Sequence, residues 1–235
     1  PYHAGLPGRV REENQTRFLR EEGLVMVATI AFGMGINKPN VRFVAHLDLP
    51  KSIEAYYQET GRAGRDGLGA NAWMAYGLAD VIKLKSMLDQ SDAAEDHKRE
   101  EKRKVDTMLA LCETTSCRRQ LLLAHFGEHM AEPCGHCDNC VEPVPGWEAT
   151  EPARLALSAV YRTGSRYGVE YLVALLRGEK TDRITGNGHE TLAVFGRGTD
   201  LSDKEWRSIF RQLLARGFLQ PDPEGHGALI LDESC

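Results

Sequence analysis

Hydrophobic and polar positions follow two rhythms along this chain. In the first 90 residues, helical spacing alternates with continuous apolar runs. "VREENQTRFLREE" predicts a helix with Val10, Phe18 and Leu19 as its apolar positions. "GLVMVATIAF" predicts a buried strand over Leu24 to Thr29, followed by the loop "GMGINKPN". "VRFVAHLDLP" predicts a second strand ended by Pro50, Ser52 is placed to cap a helix through "SIEAYYQETG", and "NAWMAYGL" predicts a third strand. Strands alternating with helices argue for an α/β unit, a parallel or mixed sheet with helices on both faces.

The rest of the chain reads as helical. "DAAEDHKREEKRK", residues 92–104, has the charge density of a solvated helix face, and "VDTMLALC" carries that helix into something buried. A cysteine-rich stretch follows, then the Pro-rich linker "VEPVPGWEATEP". Beyond it, "EPARLALSAVYRTGSRYG", "VEYLVALLRG" and "LSDKEWRSIFRQLLARG" predict three helices. "FLQPDPEGHGALIL" predicts two short strands around a Pro/Gly turn, which completes the outline of a winged-helix module. In the third helix Ser202 and Glu205 form a capping box. Trp206, Ile209, Phe210, Leu213, Leu214 and Phe218 make a core-facing stripe, while Lys204, Arg207 and Arg211 share another face.

Composition adds constraints. At 235 residues, 42% hydrophobic and 27% charged, the chain has room for one large domain or two to three small ones. Its longest uncharged run is too short and too Gly-rich to span a bilayer, and no secretory signal is present. It opens on Pro1 inside a patterned stretch, which reads as a piece of a longer chain. The net charge of −5 advertises no nucleic-acid partner, but such partners answer to local patches. Residues 151–220 hold 11 Lys/Arg against 8 Asp/Glu, a local excess that favours contacts to a duplex backbone.

Cys134, Cys137 and Cys140 stand in C-x2-C-x2-C spacing in "CGHCDNC", so two thiolate hooks share one cysteine. Cys117 lies upstream in "ETTSCRRQLLLAHFGE", after the expected cap residues Thr115 and Ser116, where a helix N-terminus favours the thiolate. The apolar side of the run from Cys117 to Phe126 is expected to pack that helix against the metal loop. Four cysteines make a closed structural zinc site, and the same spacing also fits an iron–sulfur cluster. His136 is wedged between two ligating neighbours with poor geometry for a ligand. Cys112 and Cys235 read as bystanders.

"QETGRAGRDG" places Gln58, Arg62 and Arg65 at i, i+4 and i+7 of the helix opened by Ser52. Gly61 and Gly64 clear space between the arginines, whose guanidinium forks match phosphate oxygens bidentately. That stretch resembles motif VI of superfamily 2 helicases, "VATIAFGMGINKPNVRFV" resembles their motif V, and "YHAGL" the end of motif IV. Combined with "CRRQLLLAHFGE" and "EPCGHCDNC", the chain is similar over essentially its whole length to the RecQ DNA helicases.

The resemblance implies an α/β RecA-like second motor domain, its parallel sheet flanked by helices, over residues 1–90. A helical zinc-binding domain over 91–146 and an α+β winged-helix domain over 147–235 would follow. It further implies an ATP-dependent 3′–5′ DNA helicase of repair, recombination and replication, with DNA junctions as partner and a cytoplasmic, nucleoid-associated location. Zn²⁺ is implied as structural metal, and ATP and Mg²⁺ as ligands held mainly by another domain. Arg65 and Arg62 would reach the γ-phosphate, Arg65 as the arginine finger, with Gln58 assisting. Asn37 sits near the expected ribose position, where many relatives carry Asp. Thr29, Gly33 and Gly35 would lie by the tracked strand, as would His3, and Lys204, Arg207 and Arg211 would contact duplex.

No G-x-x-x-x-G-K-[ST] loop and no D-E-x-H run occurs in the chain. It holds the arginine side of an ATP site without the phosphate-cradling side, and alone is expected not to hydrolyse ATP at a helicase-like rate. The turn "PDPEGHG" lacks the aromatic tip with which some RecQ wings part base pairs. An alternative reading is a non-motor zinc and winged-helix DNA-binding regulator.

Overall fold

The structure, a computed structural model, describes residues 1–32, 36–222 and 227–232. Two compact units emerge: Pro1–Leu49 with Glu54–Tyr76, and Pro50–Ile53 with the chain from Gly77 onward.

The first unit begins with α1, Gly8–Arg20, which carries Arg17 and Arg20 in its last turn, where cations complement the helix dipole. Its one buried residue, Phe18, meets the Phe32 ring edge-on at 5.3 Å, and Phe32 packs on Tyr2 at 4.9 Å. Strand β1, Phe43–His46, and strand β2, Asn71–Met74, pair in parallel from Phe43↔Asn71 to His46↔Met74. Parallel strands need a crossover, and α2, Ile53–Thr60, lies within it.

The strand expected over Leu24 to Thr29 does not form. A single parallel bridge joins Tyr2 to Ala28, through Tyr2 N–H to Val27 O at 2.9 Å and Thr29 N–H to Tyr2 O at 3.0 Å. Val25 and Val27 are each 67% exposed. An apolar run becomes a strand only where a neighbour offers a ladder, and among the described residues Tyr2 alone does so.

The second unit opens with α3, Leu78–Asp89, a helix the hydrophobic pattern did not single out, packed on α4, Glu95–Glu113. Lys98 donates to the Asp89 carbonyl at 3.1 Å and Lys102 pairs with the Asp89 carboxylate, so part of the charged run faces α3 rather than water. Val105, Met108, Leu109 and Leu111 bury the second half of α4. Two short helices follow, α5, Arg118–His125, and α6, Asp138–Val141.

Three helices and a strand pair complete this unit, as the periodicity predicts. The helices are α7, Thr150–Arg162, α8, Val169–Leu176, and α10, Asp203–Ala215, with an additional brief α9, Asp182–Gly186, before α10. Strands β3, Leu219–Pro221, and β4, Leu229–Leu231, pair antiparallel. Ala156, Ala159, Val160, Leu172, Leu175, Trp206, Phe210 and Leu229 are sealed from solvent, each of the larger ones contributing about 2 kcal/mol by burial. Ser202 and Glu205 form the expected capping box. Phe218 departs from the predicted stripe and is 40% exposed. Helix α10 has ended by then, and Gly217 at φ +77 turns the chain off the helical register. The acidic part of the turn between β3 and β4, residues 223–226, lies outside the described residues, as does Cys235.

Candidate functional site

The arginine loop is built differently from the single helix face expected for Gln58, Arg62 and Arg65. Helix α2 stops at Thr60, and Gly61 N–H closes its last turn on Tyr57 O at 2.8 Å. A Cβ on Gly61 would sit 2.9 Å from that carbonyl, and one on Gly64, at φ +66, would sit 2.9 Å from Leu68 O. The glycines therefore end the helix and fold the chain back, so both arginines lie beyond it. The returning loop is pinned by Gly64 N–H to Val41 O at 3.0 Å and Asp66 N–H to Pro39 O at 3.2 Å. Arg42 Nη2 donates to Asp66 Oδ2 at 2.6 Å, a bond that holds the Asp66 carboxyl below its ordinary range.

On that loop Arg65 is exposed, its Nε donating to Gly61 O at 3.1 Å and its Nη1 to Asn37 Oδ1 at 3.2 Å. The structure thus brings together two residues the sequence placed at a nucleotide from separate motifs. Arg62 is half-buried, with its Nε enclosed and unpartnered among the described residues, and Gln58 is exposed on the last turn of α2. Thr29 and His3 are exposed, while Gly33 and Gly35 lie outside the described residues. The pattern gave no warning of the 2.6 Å contact between His46 Nε2 and Glu59 Oε2, which ties the end of β1 to α2.

The four predicted thiols converge. Sγ atoms of Cys117, Cys134, Cys137 and Cys140 all lie within 4.8 Å of one another, with Cys134 and Cys140 at 3.9 Å. A tetrahedral zinc with bonds of about 2.3 Å would set its sulfurs about 3.8 Å apart, so the set fits Zn²⁺ after slight contraction. Backbone N–H groups already solvate the sulfurs: Cys134 to Cys117 at 3.3 Å, and His136 and Cys137 to Cys134 at 3.4 and 3.3 Å. Burial pushes the Cys117 thiol up, but hydrogen bonds from Cys134, Gln120 and Cys140 together outweigh it and leave its pKa at about 6. Cys140, hydrogen-bonded to the Cys137 side chain, is pushed up to about 12. Zinc binding would displace whatever protons these thiols carry. His136 is exposed and outside the cluster. Cys112 is also outside, with burial pushing its thiol to about 12.

Two expectations about this centre are corrected. Cys117 itself, not Thr115 or Ser116, is the N-cap of α5. Nor does α5 bury an apolar face against the metal loop: none of its residues is buried, and Leu121 and Phe126 are 37% and 40% exposed. Polar links hold it instead. Arg118 grips Asp138 bidentately at 2.7 and 2.8 Å and donates through Nη1 to Leu111 O and Cys112 O at 2.7 and 2.8 Å. Buried Asn139 donates to Thr114 O at 2.7 Å and Ser116 O at 2.9 Å. Arg118 and Asn139 stood in "CRRQ" and "CDNC" beside the ligands, but nothing in their spacing names partners some 20 residues away.

The basic face of α10 is less open than its sequence suggests. Lys204 is exposed, but Arg207 pairs with Asp203 at 2.7 Å and Glu170 at 3.6 Å, and Arg211 with Glu113 at 3.0 Å. Two of the three charges are thus compensated within the unit. No helix among the described residues is long and apolar enough to cross a membrane.

Comparison with known proteins matches three family models in succession. Residues 1–67 match the helicase conserved C-terminal domain, 78–141 the RecQ zinc-binding domain, and 143–235 the RQC domain. The chain is similar to the ATP-dependent DNA helicase RecQ of Pasteurella multocida, 47% identical over 220 residues, which are 93% of this chain and 34% of that protein. The protein of the same name from Bacillus subtilis is 40% identical over 195 residues, 83% of this chain and 33% of that protein. The RecQ-like DNA helicase blm-1 of Caenorhabditis elegans is 35% identical over 234 residues, covering 93% of this chain and 24% of that protein. The chain thus spans about a third of the length of the bacterial relatives it matches. The zinc-binding match and the four-thiol cluster together support a structural Zn²⁺.

Proposed function

We propose, from the premise that this chain belongs to the RecQ family and carries its C-terminal region, that it works within an ATP-dependent 3′–5′ DNA helicase of repair and recombination. Its three parts are a second RecA-like motor domain over residues 1–90, a zinc-binding domain over 91–146 and a winged-helix domain over 147–235. The observation that carries this reading is the exposed Arg65 guanidinium, braced by Gly61 and Asn37 on a pinned loop, in a chain without a phosphate loop.

ATP with Mg²⁺, when bound, supplies the γ-phosphoryl group whose transfer to water drives the motor. This chain's residues attend to charge and position. Arg65 offers guanidinium N–H groups left unpaired among the described residues to the phosphoryl oxygens, neutralising charge that develops in the transition state. Arg62 contributes from the same loop, and Gln58 from the last turn of α2. Asn37 orients Arg65 and faces the nucleotide side. The loop is held by backbone bonds and the Arg42–Asp66 pair, so little ordering remains when the two halves of the site meet. Cys117, Cys134, Cys137 and Cys140 would hold the structural Zn²⁺, and through it would tie the connection between α4 and α5 to the loop that carries the other three thiols. DNA lies against the segment of Thr29, Gly33 and Gly35 and against Lys204 and Arg207 of the winged helix. The deciding experiment is Arg65→Ala in the full-length protein. DNA-stimulated ATP hydrolysis and unwinding should collapse with ATP still bound, and wild-type turnover by that variant would defeat the reading.

A further inference from the structure

The C-terminal end of α4 is gripped from two directions. From the cysteine side, Arg118 takes the carbonyls of Leu111 and Cys112, and Asn139 takes those of Thr114 and Ser116. From α10, Gln212 Nε2 donates to Glu113 O at 2.9 Å and to Glu113 Oε2 at 3.0 Å, while Arg211 Nε donates to Glu113 Oε1 at 3.0 Å. Five of the six carbonyls from Leu111 to Ser116 are therefore held by side chains, four by the cysteine region and one by α10. A helix end ordinarily leaves such carbonyls to water. Here they make a strut.

Glu113 is the residue where the two grips meet. Its side chain is only 8% exposed, and it sits at a helix C-terminus, where the dipole disfavours an anion. Two donors from α10, about a hundred positions later in the chain, help offset that cost. Arg211, expected at DNA, is one of them.

We infer that Glu113 is a positioning residue that couples the four-cysteine centre to α10, so that the state of the metal site sets how firmly α10 is held. Metal loss frees the "CDNC" hook, and with it Asp138 and Asn139, which brace Arg118 and the 111–116 strut. Glu113 then loses its fixed backbone, and Arg211 and Gln212 lose their acceptor. The coupling requires no assumption about what α10 binds.

Hydrogen–deuterium exchange of the whole chain, zinc-loaded and after chelation, tests this. Stripping zinc from the wild type should speed exchange in α10 about fivefold or more, together with residues 111–116 and ahead of α7 and α8. In Glu113→Ala, α10 should exchange fast even with zinc bound and respond to stripping by less than about twofold, while residues 134–140 still respond fully. The Glu113 carbonyl stays in either variant, and Glu113→Gln also keeps one side-chain acceptor and should fall between, which covers the case that the alanine variant does not fold. The inference is overturned if α10 in the wild type ignores zinc while 134–140 open. It is overturned equally if α7, α8 and α10 loosen together, or if the Glu113 variants respond to zinc as the wild type does.

Discussion

Arg65 donates to Asn37 across 3.2 Å, joining a loop after α2 to a segment 28 residues earlier. The bond is neutral on the Asn37 side and exposed, so it orients the guanidinium without consuming it. That division suits an arginine whose remaining N–H groups meet a phosphate.

The first prediction separates the two partners. In the full-length protein, Arg65→Ala should lower the rate constant of DNA-stimulated ATP hydrolysis by about a thousandfold, the scale of an arginine that neutralises phosphoryl charge. Asn37→Ala should cost about tenfold or less, since one exposed hydrogen bond to a charged group is at stake. Steady-state kinetics of both variants checks the ranking, and equal losses would contradict it.

Metal content gives the second. The purified chain should be colourless and carry about one zinc, as four thiolates close a tetrahedral site. Cys134→Ser or Cys140→Ser should drop the zinc content and release the metal to a chromogenic chelator under native conditions. A brown protein with visible absorption would point to iron–sulfur instead.

Arg118 carries the third. It binds one carboxylate with two nitrogens and two carbonyls with the third, and only a planar fork reaches all of them. Arg118→Ala should lose about 3 kcal/mol in denaturant unfolding of the zinc-loaded chain, and Arg118→Lys should recover little of it. Asp138→Asn should cost less, since that side chain is 64% exposed. Full rescue by lysine would show that charge alone suffices.

The fourth concerns pH. Arg42 holds the Asp66 carboxyl below its usual range. A depressed carboxyl stabilises the fold above its unfolded pKa of about 4, and that contribution fades as pH falls through the lower folded value. Asp66→Asn should therefore flatten the acid limb of the stability curve below about pH 4 and leave its slope near neutrality unchanged. Thermal melts across that range check it.

The fifth tests the core. Trp206 Nε1 donates to Gly198 O at 2.8 Å, and a Cβ on Gly198 would come within 2.3 Å of the indole. Gly198→Ala should destabilise the second unit by about 2 kcal/mol through overpacking. Trp206→Phe should cost about 2 kcal/mol through the lost bond and the space left behind.

Much of the site was legible beforehand, and unevenly. The cysteine ligands announce themselves because hook spacing is local, so four residues in two short stretches suffice. The end of α2 was also legible but misread: Gly61 and Gly64 are helix-stop and left-handed residues, and they terminate the helix before either arginine rather than thinning its face. Residues 24–29 show the opposite limit. Their apolar run has strand character, but a strand exists only as a pairing, and no local pattern says whether a neighbour is present.

What the sequence by itself determined is therefore whatever depends on short-range order. That includes the helices α7, α8 and α10 with their buried stripes, the Ser202 capping box, the crossover between β1 and β2, and the thiol set. The tertiary structure alone decided which charges are spent. Arg211 and Arg207 read as a free basic face, yet Glu113, Asp203 and Glu170 compensate them. Arg118 and Asn139 read as neighbours of ligands, yet they hold the end of α4. Side-chain partnerships across 20 to 100 residues depend on where the backbone returns, and that is fixed by packing the whole unit at once, not by any one stretch of it.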